Sequence, residues 1–251
     1  MQLDQADASL IIENLNAVRA RIARACVSAG RDPDTVRLLL ATKTVPAERI
    51  SVAIRGGASL IGENRAQELI EKAPALDGCG AEKHFIGHVQ SNKIRRIAAL
   101  VSCVQSIDCI STAEKFDRVL EETGRVLDVF IQVNTSGEDS KFGVPPEDAL
   151  AFTRVVAGFA HLRVRGLMTI GLLSPDPERC RPGLRMLTDL RERIRDAGIE
   201  NADVTELSMG MSTDLELAIQ EGATMVRIGT AVFGRRPTPE GFFWNENAQR
   251  S

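Results

Sequence analysis

Tyrosine is absent from this 251-residue chain, tryptophan occurs once, and aromatic residues make up only 4%. No phenol is therefore at hand for acid–base chemistry. Histidine is nearly as scarce, with only His84, His88 and His161. The five cysteines are odd in number, scattered, and never spaced CxxC. That pattern favours free thiols in a reducing compartment over disulfides or zinc. The stretch HFIGH puts His84 and His88 at the spacing of two metal ligands on a helix, but HFIG reads as strand, where such positions lie far apart. No metal is expected. No apolar run approaches the ~20 residues of a membrane span. The net charge of −3 makes no bulk case for nucleic acid. The first residues, MQLDQADASL, carry acids where an export signal needs bases, so a cytoplasmic protein is expected.

What is present is a soluble composition, 43% hydrophobic and 26% charged, at a length that suits one α/β barrel. Residues 8–29 repeat apolar positions at three and four, predicting a leading helix stopped by Gly30. Short apolar runs then alternate with amphipathic stretches. The strands are expected at RLLLATK, SLIGEN, HFIGHV, CVQSID, LDVFIQVN, LRVRGLMTIG, DVTELSMG and TMVRIGT, each followed by a helical segment. This predicts a single closed (β/α)8 TIM barrel over residues 1–236, with an open doubly wound sheet as the rival. Residues 237–251 read as a polar, loosely attached tail.

Barrel chemistry sits at the C-terminal strand ends. Lys43 ends an apolar strand, and it is the only one of six lysines to do so. It is either a snorkelling lysine at the rim or a desolvated amine of lowered pKa. Such an amine can attack an aldehyde and form a Schiff base. LSMGMSTD and VRIGTAVFG run from strand into helix through small residues, as phosphate-binding loops do, although Gly229 alone could be a tight turn and Ser212 a plain N-cap. A lysine imine and a phosphate cup on opposite sides of one opening suit pyridoxal 5′-phosphate. Arg227, within the last strand, would then sit by the pyridine nitrogen, or else form an ion pair inside the barrel.

These stretches, with IGENRAQE, HFIGHVQSNK, IQVNTSGEDSKFG and RGLMTIG, resemble the pyridoxal phosphate homeostasis proteins, a single-domain family similar to the N-terminal barrel of alanine racemase. The resemblance covers about residues 36–235. It implies a fold-type III barrel with the cofactor covalently on Lys43. It implies phosphate contacts at Ser208, Gly210, Gly229 and Thr230, with Met209 next to the phosphate. Arg227 would lie near the ring nitrogen, Asn64 beside the cofactor, and His84 is taken with this set. Lys83 replaces a commoner aromatic, and His88–Val89 a commoner pair, at the expected pocket rim.

Three functions fit such a barrel: a cofactor carrier in intracellular homeostasis, an amino-acid racemase, or an enzyme of phosphorylated substrates. A racemase needs an acid/base on each face of its substrate. In the racemases this barrel resembles, one is a tyrosine supplied by a second domain; this chain has neither. The expectation is a monomeric carrier, not an enzyme, making transient contact with enzymes that require the cofactor. Lys141, in the loop after strand five, is either a solvated lysine or a way-station for the departing aldehyde.

Overall fold

The computed structural model describes residues 4–138 and 141–234. The tail at 237–251 lies outside the described residues. The chain opens with α1 (Gln5–Ser28), started by Asp4, whose carboxylate accepts from the Ala6 N–H. This cap begins the helix three residues earlier than its apolar pattern suggests. Gly30, at φ +67°, ends it. Ile11, Leu15, Val18 and Ile22 form its buried stripe, each large side chain contributing about 1.5–3 kcal/mol by burial.

The barrel follows as β1 (Arg37–Ala41), α2 (Ala47–Arg55), β2 (Leu60–Glu63), α3 (Ala66–Lys72), β3 (Glu82–Phe85), α4 (Ile94–Leu100), β4 (Cys103–Ile107) and α5 (Ile110–Glu121). Its second half is β5 (Leu127–Gln132), α6 (Ala149–Ala157), β6 (Leu162–Met168), α7 (Arg181–Asp196), β7 (Ala202–Ser208), α8 (Leu215–Gln220), β8 (Met225–Ile228) and α9 (Thr230–Phe233). All eight strands are parallel in chain order, and β1 pairs with β8. That closure excludes the doubly wound sheet. The helices α8 and α9 are short, and α1 packs against both and against α2, covering the flank they leave.

Two apolar layers follow from strand alternation. Leu39, Leu60, Cys103, Phe130, Met168 and Met225 fill the barrel interior. Leu40, Ile61, Phe85, Val104, Ile131, Leu167 and Val226 point the other way and pack with the helices. The sequence-based strands run too long at their C-terminal ends, because the chain bends into loops once interstrand pairing stops. The third also starts too late: β3 begins at Glu82, so His84 lies within it and His88 beyond it.

Candidate functional site

Alternation along β1 directs Leu39, Ala41 and Lys43 inward. The strand ends at Ala41, and Lys43 lies in a turn closed by the Val45 N–H on the Thr42 carbonyl at 3.0 Å. Lys43 is 8% exposed. Thr44 adopts φ +63°, a left-handed conformation that costs a β-branched residue about 1–3 kcal/mol. Its N–H donates to Glu68 Oε2 at 2.7 Å.

Lys43 opens into a cavity of about 400 Å³ at the C-terminal end of the barrel. Ala41, Ile86, Ile170 and Leu173 give it apolar walls. Met211, Ser212 and Thr213 after β7, and Gly229, Thr230 and Ala231 after β8, supply small residues and hydroxyls. Because β1 and β8 are neighbours, Lys43 and the Gly229–Thr230 turn lie on adjacent strands, not across the opening as the sequence suggested. Asn64 lines the cavity, and its Oδ1 is buried without a hydrogen-bond partner. Gly87 allows this packing: a Cβ there would lie 1.8 Å from the Asn64 carbonyl oxygen.

Arg227 lies at the floor. Its Nη1 donates to the carbonyl and hydroxyl of Ser208 at 2.6 and 2.9 Å, and its Nη2 to the Thr169 carbonyl at 2.6 Å. Desolvation pulls its pKa down to about 10, against the attraction of Asp214, so the guanidinium stays charged at neutral pH. Below it a chain of hydrogen bonds crosses the barrel. The Ser208 hydroxyl donates to Gln105 Oε1 at 2.6 Å, the Gln105 amide meets His84 Nδ1 at 2.7 Å, and His84 Nε2 meets Glu82 at 2.8 Å. With the amide donating to Nδ1, the proton of a neutral His84 sits on Nε2.

Of the residues singled out from the sequence, Lys43, Asn64, Arg227, Gly229 and Thr230 come together around the cavity. Ser208 and His84 are placed beneath it, in the chain under Arg227. Met209 faces the helical layer, fully buried. Gly210 shapes the loop: it has φ +89°, and a Cβ would meet the Ala218 Cβ at 2.4 Å. None of these four is among the residues lining the cavity. Neither are Lys83 and His88, which were expected at its rim; His88 is exposed and stacks on Phe142 with ring centroids 4.1 Å apart. Lys141 donates to Glu138 at 2.7 Å and to the Gly171 carbonyl at 2.9 Å. Sequence reasoning passed over Thr213, Ile86 and Ile170. The alternation of His84 inward and Phe85 outward was the available signal for Ile86.

All five cysteines are free, and among the described residues no cluster of His, Cys, Asp or Glu could hold a metal ion. No helix among them is long and apolar enough to cross a membrane.

Comparison with known proteins agrees with this fold. The family model for the alanine racemase N-terminal domain matches residues 13–237. A pyridoxal phosphate homeostasis protein of Pseudomonas aeruginosa is 44% identical over 229 residues, 91% of this chain and 96% of the relative. One from Aquifex aeolicus is 41% identical over 224 residues, 89% of this chain and 97% of the relative. The solved structure of PipY from Synechococcus elongatus with PLP bound superposes with a TM-score of 0.79 at 32% identity, covering 89% of this chain and 100% of that one. The chain, an eight-stranded barrel with a lysine-bearing cavity at its C-terminal end, belongs to the pyridoxal phosphate homeostasis proteins within the alanine racemase N-terminal domain family.

Proposed function

We propose that this protein binds pyridoxal 5′-phosphate in the cavity above Arg227, on the Lys43 amine, and holds it for intracellular homeostasis and delivery instead of using it for catalysis. The single observation that carries this reading is the convergence of Lys43, Asn64 and Arg227 with the Ser212–Thr213 and Gly229–Thr230 turns on one cavity of about 400 Å³. That volume lies in the range of small-ligand sites. The unpartnered Oδ1 of Asn64 and the first N–H groups of the α9 turn are polar groups that a bound ligand would satisfy.

Each residue has a distinct task. Lys43, largely out of water, presents its amine as the covalent anchor. The hydroxyls of Ser212, Thr213 and Thr230 and the backbone at Gly229 receive the phosphate. Ile86, Ile170 and Ala41 offer apolar surface to the ring. Arg227, with its Nη atoms committed to Ser208 and Thr169, keeps a fixed positive charge at the floor. When bound, the cofactor would supply an electrophilic aldehyde and an electron-withdrawing ring, and a nearby guanidinium disfavours protonation of that ring.

The carrier reading is supported by what surrounds Lys43. Lys43 and Arg227 are the only titratable side chains lining the cavity among the described residues. His84 is engaged beneath it and His88 stacks outside it, so neither offers a second base on the far face of a substrate. The Pseudomonas aeruginosa and Aquifex aeolicus relatives carry the name of homeostasis proteins. In this reading the protein works in the cytoplasm as a monomer and meets cofactor-requiring apo-enzymes only transiently.

The test is borohydride reduction of the protein loaded with pyridoxal phosphate, followed by peptide mapping. The expected result is one modified residue, Lys43, and no turnover of amino acids above background. Modification elsewhere, or none, defeats the assignment; sustained racemisation defeats the carrier reading.

A further inference from the structure

The outer side of the β1–α2 turn carries an ion cluster that the cavity does not use. On either side of Lys43, the Thr42 hydroxyl bonds to Gly62 and Glu63 of β2 and the Thr44 N–H to Glu68 of α3. Lys72 donates to the Thr42 carbonyl at 2.9 Å, to Glu63 Oε1 at 2.7 Å and to Glu68 Oε2 at 2.7 Å. All three protons of its ammonium are thus used. The same Glu68 oxygen receives the Thr44 N–H at 2.7 Å, and the Thr42 hydroxyl donates to Glu63 at 2.7 Å. Lys72, Glu63 and Glu68 are 13%, 4% and 17% exposed, so water screens these contacts little. One connected group therefore grips the main chain on both sides of Lys43.

Thr44 makes the grip necessary. A threonine at φ +63° is held against its own preference, and turns that need this conformation ordinarily use glycine. Released from Glu68, the Thr44 peptide would relax, and the Lys43 backbone would rotate with it. The amine sits at the end of a long flexible side chain, so a modest backbone rotation moves it by ångströms, and such misplacement is costly to a bond-forming step.

We propose that Glu68, held in place by Lys72, is the positioning residue for Lys43: by pinning the left-handed Thr44 peptide it aims the amine into the cavity. The inference rests on the cofactor-binding reading above, with Lys43 as anchor. Glu63 serves as the deeper support. Its carboxyl is pushed above the usual carboxylate range by burial, against the pull of Lys72 and the Thr42 hydroxyl.

The experiment separates covalent capture from total binding. Parent, Glu68→Ala and Glu68→Ala/Thr44→Gly chains are mixed with pyridoxal phosphate. Total bound cofactor is measured by dialysis, and the covalent share by borohydride trapping at timed intervals. Glu68→Ala is expected to slow trapping at least tenfold while total phosphate-anchored binding changes less than threefold. Thr44→Gly should restore trapping to within threefold of the parent, because glycine holds φ +63° unaided. Trapping at the parent rate in Glu68→Ala overturns the inference. So do a parallel fall in trapping and total binding, which marks a merely structural role, and a failure of Thr44→Gly to rescue. Should Glu68→Ala not fold, Glu68→Met, closer in volume, gives the same reading. A parent chain that traps nothing on Lys43 instead defeats the underlying cofactor assignment.

Discussion

Arg227 donates to Ser208 twice, once at the carbonyl and once at the hydroxyl, and so ties the end of β8 to the end of β7 beneath the cavity. The Ser208 hydroxyl donates its hydrogen bond to Gln105 Oε1 and is wholly buried. Ser208 therefore supports the floor, whereas Ser212 and Thr213 line the opening. Ser208→Ala should leave Gln105 Oε1 without its donor, costing about 1–3 kcal/mol. Thermal unfolding should show this as a fall of roughly 2–12 °C, at about 2–4 °C per kcal/mol for a chain of this size. Cofactor affinity should change less than about threefold, under 0.7 kcal/mol. A large loss of affinity with no change in melting would make Ser208 a phosphate ligand after all.

Lys43→Ala should abolish the borohydride-stable adduct but leave a weaker complex held by the phosphate loops and Arg227. The expected weakening is at least about tenfold, 1.4 kcal/mol, read by fluorescence titration or equilibrium dialysis. Undiminished covalent labelling of that variant would show that another lysine is the anchor.

Arg21 on α1 reaches across the fold to Glu216, at 2.7 and 2.8 Å, and to the Ser212 carbonyl at 3.1 Å. The leading helix thus braces a cavity loop as well as covering a flank. Both partners are about a third or more exposed, so the ion pair itself adds little to stability. Arg21→Ala should barely move the melting temperature, yet loosen the loop at 211–214 and weaken phosphate retention by about two- to fivefold, on the order of 0.5–1 kcal/mol. Dissociation of inorganic phosphate from parent and variant measures it, and equal values would remove the role.

Glu82 stands at the N-terminal end of the barrel, where the hydrogen bond from His84 chiefly, and Arg37 besides, holds its carboxyl down to about 2. In the unfolded chain it titrates near the ordinary value of about 4.3. The carboxylate's contribution is therefore full above that ordinary value and disappears as the pH falls from about 4.3 toward 2. Acid unfolding of Glu82→Gln should show a shallower loss of stability than the parent over that window, and the two curves should run parallel above pH 6. Identical slopes between pH 5 and 2 would disprove the link. Because Glu82 is partly exposed, the effect should shrink at high salt.

Alternation of strand and helix, the leading helix and the isolated position of Lys43 were all legible in the chain itself. They depend on local periodicity and on where apolar runs stop, and both are written along the sequence. The same logic marked Arg227, Gly229 and Thr230, whose neighbours are consecutive residues.

Tertiary structure alone decided which polar residues face the cavity and which hold it up. The family resemblance grouped Ser208 and His84 with the cavity residues, and the fold places both in the hydrogen-bond chain beneath it. Gln105 on β4 and Arg227 on β8 come from other strands, Glu82 stands two residues from His84 on β3 itself, and interstrand register determines at which level of the barrel the cross-strand partners meet. The Glu68–Thr44 clamp was invisible for a related reason. It depends on a backbone angle that no residue type announces, and on a helix packed against the outside of a turn 24 positions away. Sequence specifies each residue's chemistry and the face of its own element; only the closed barrel determines what meets it there.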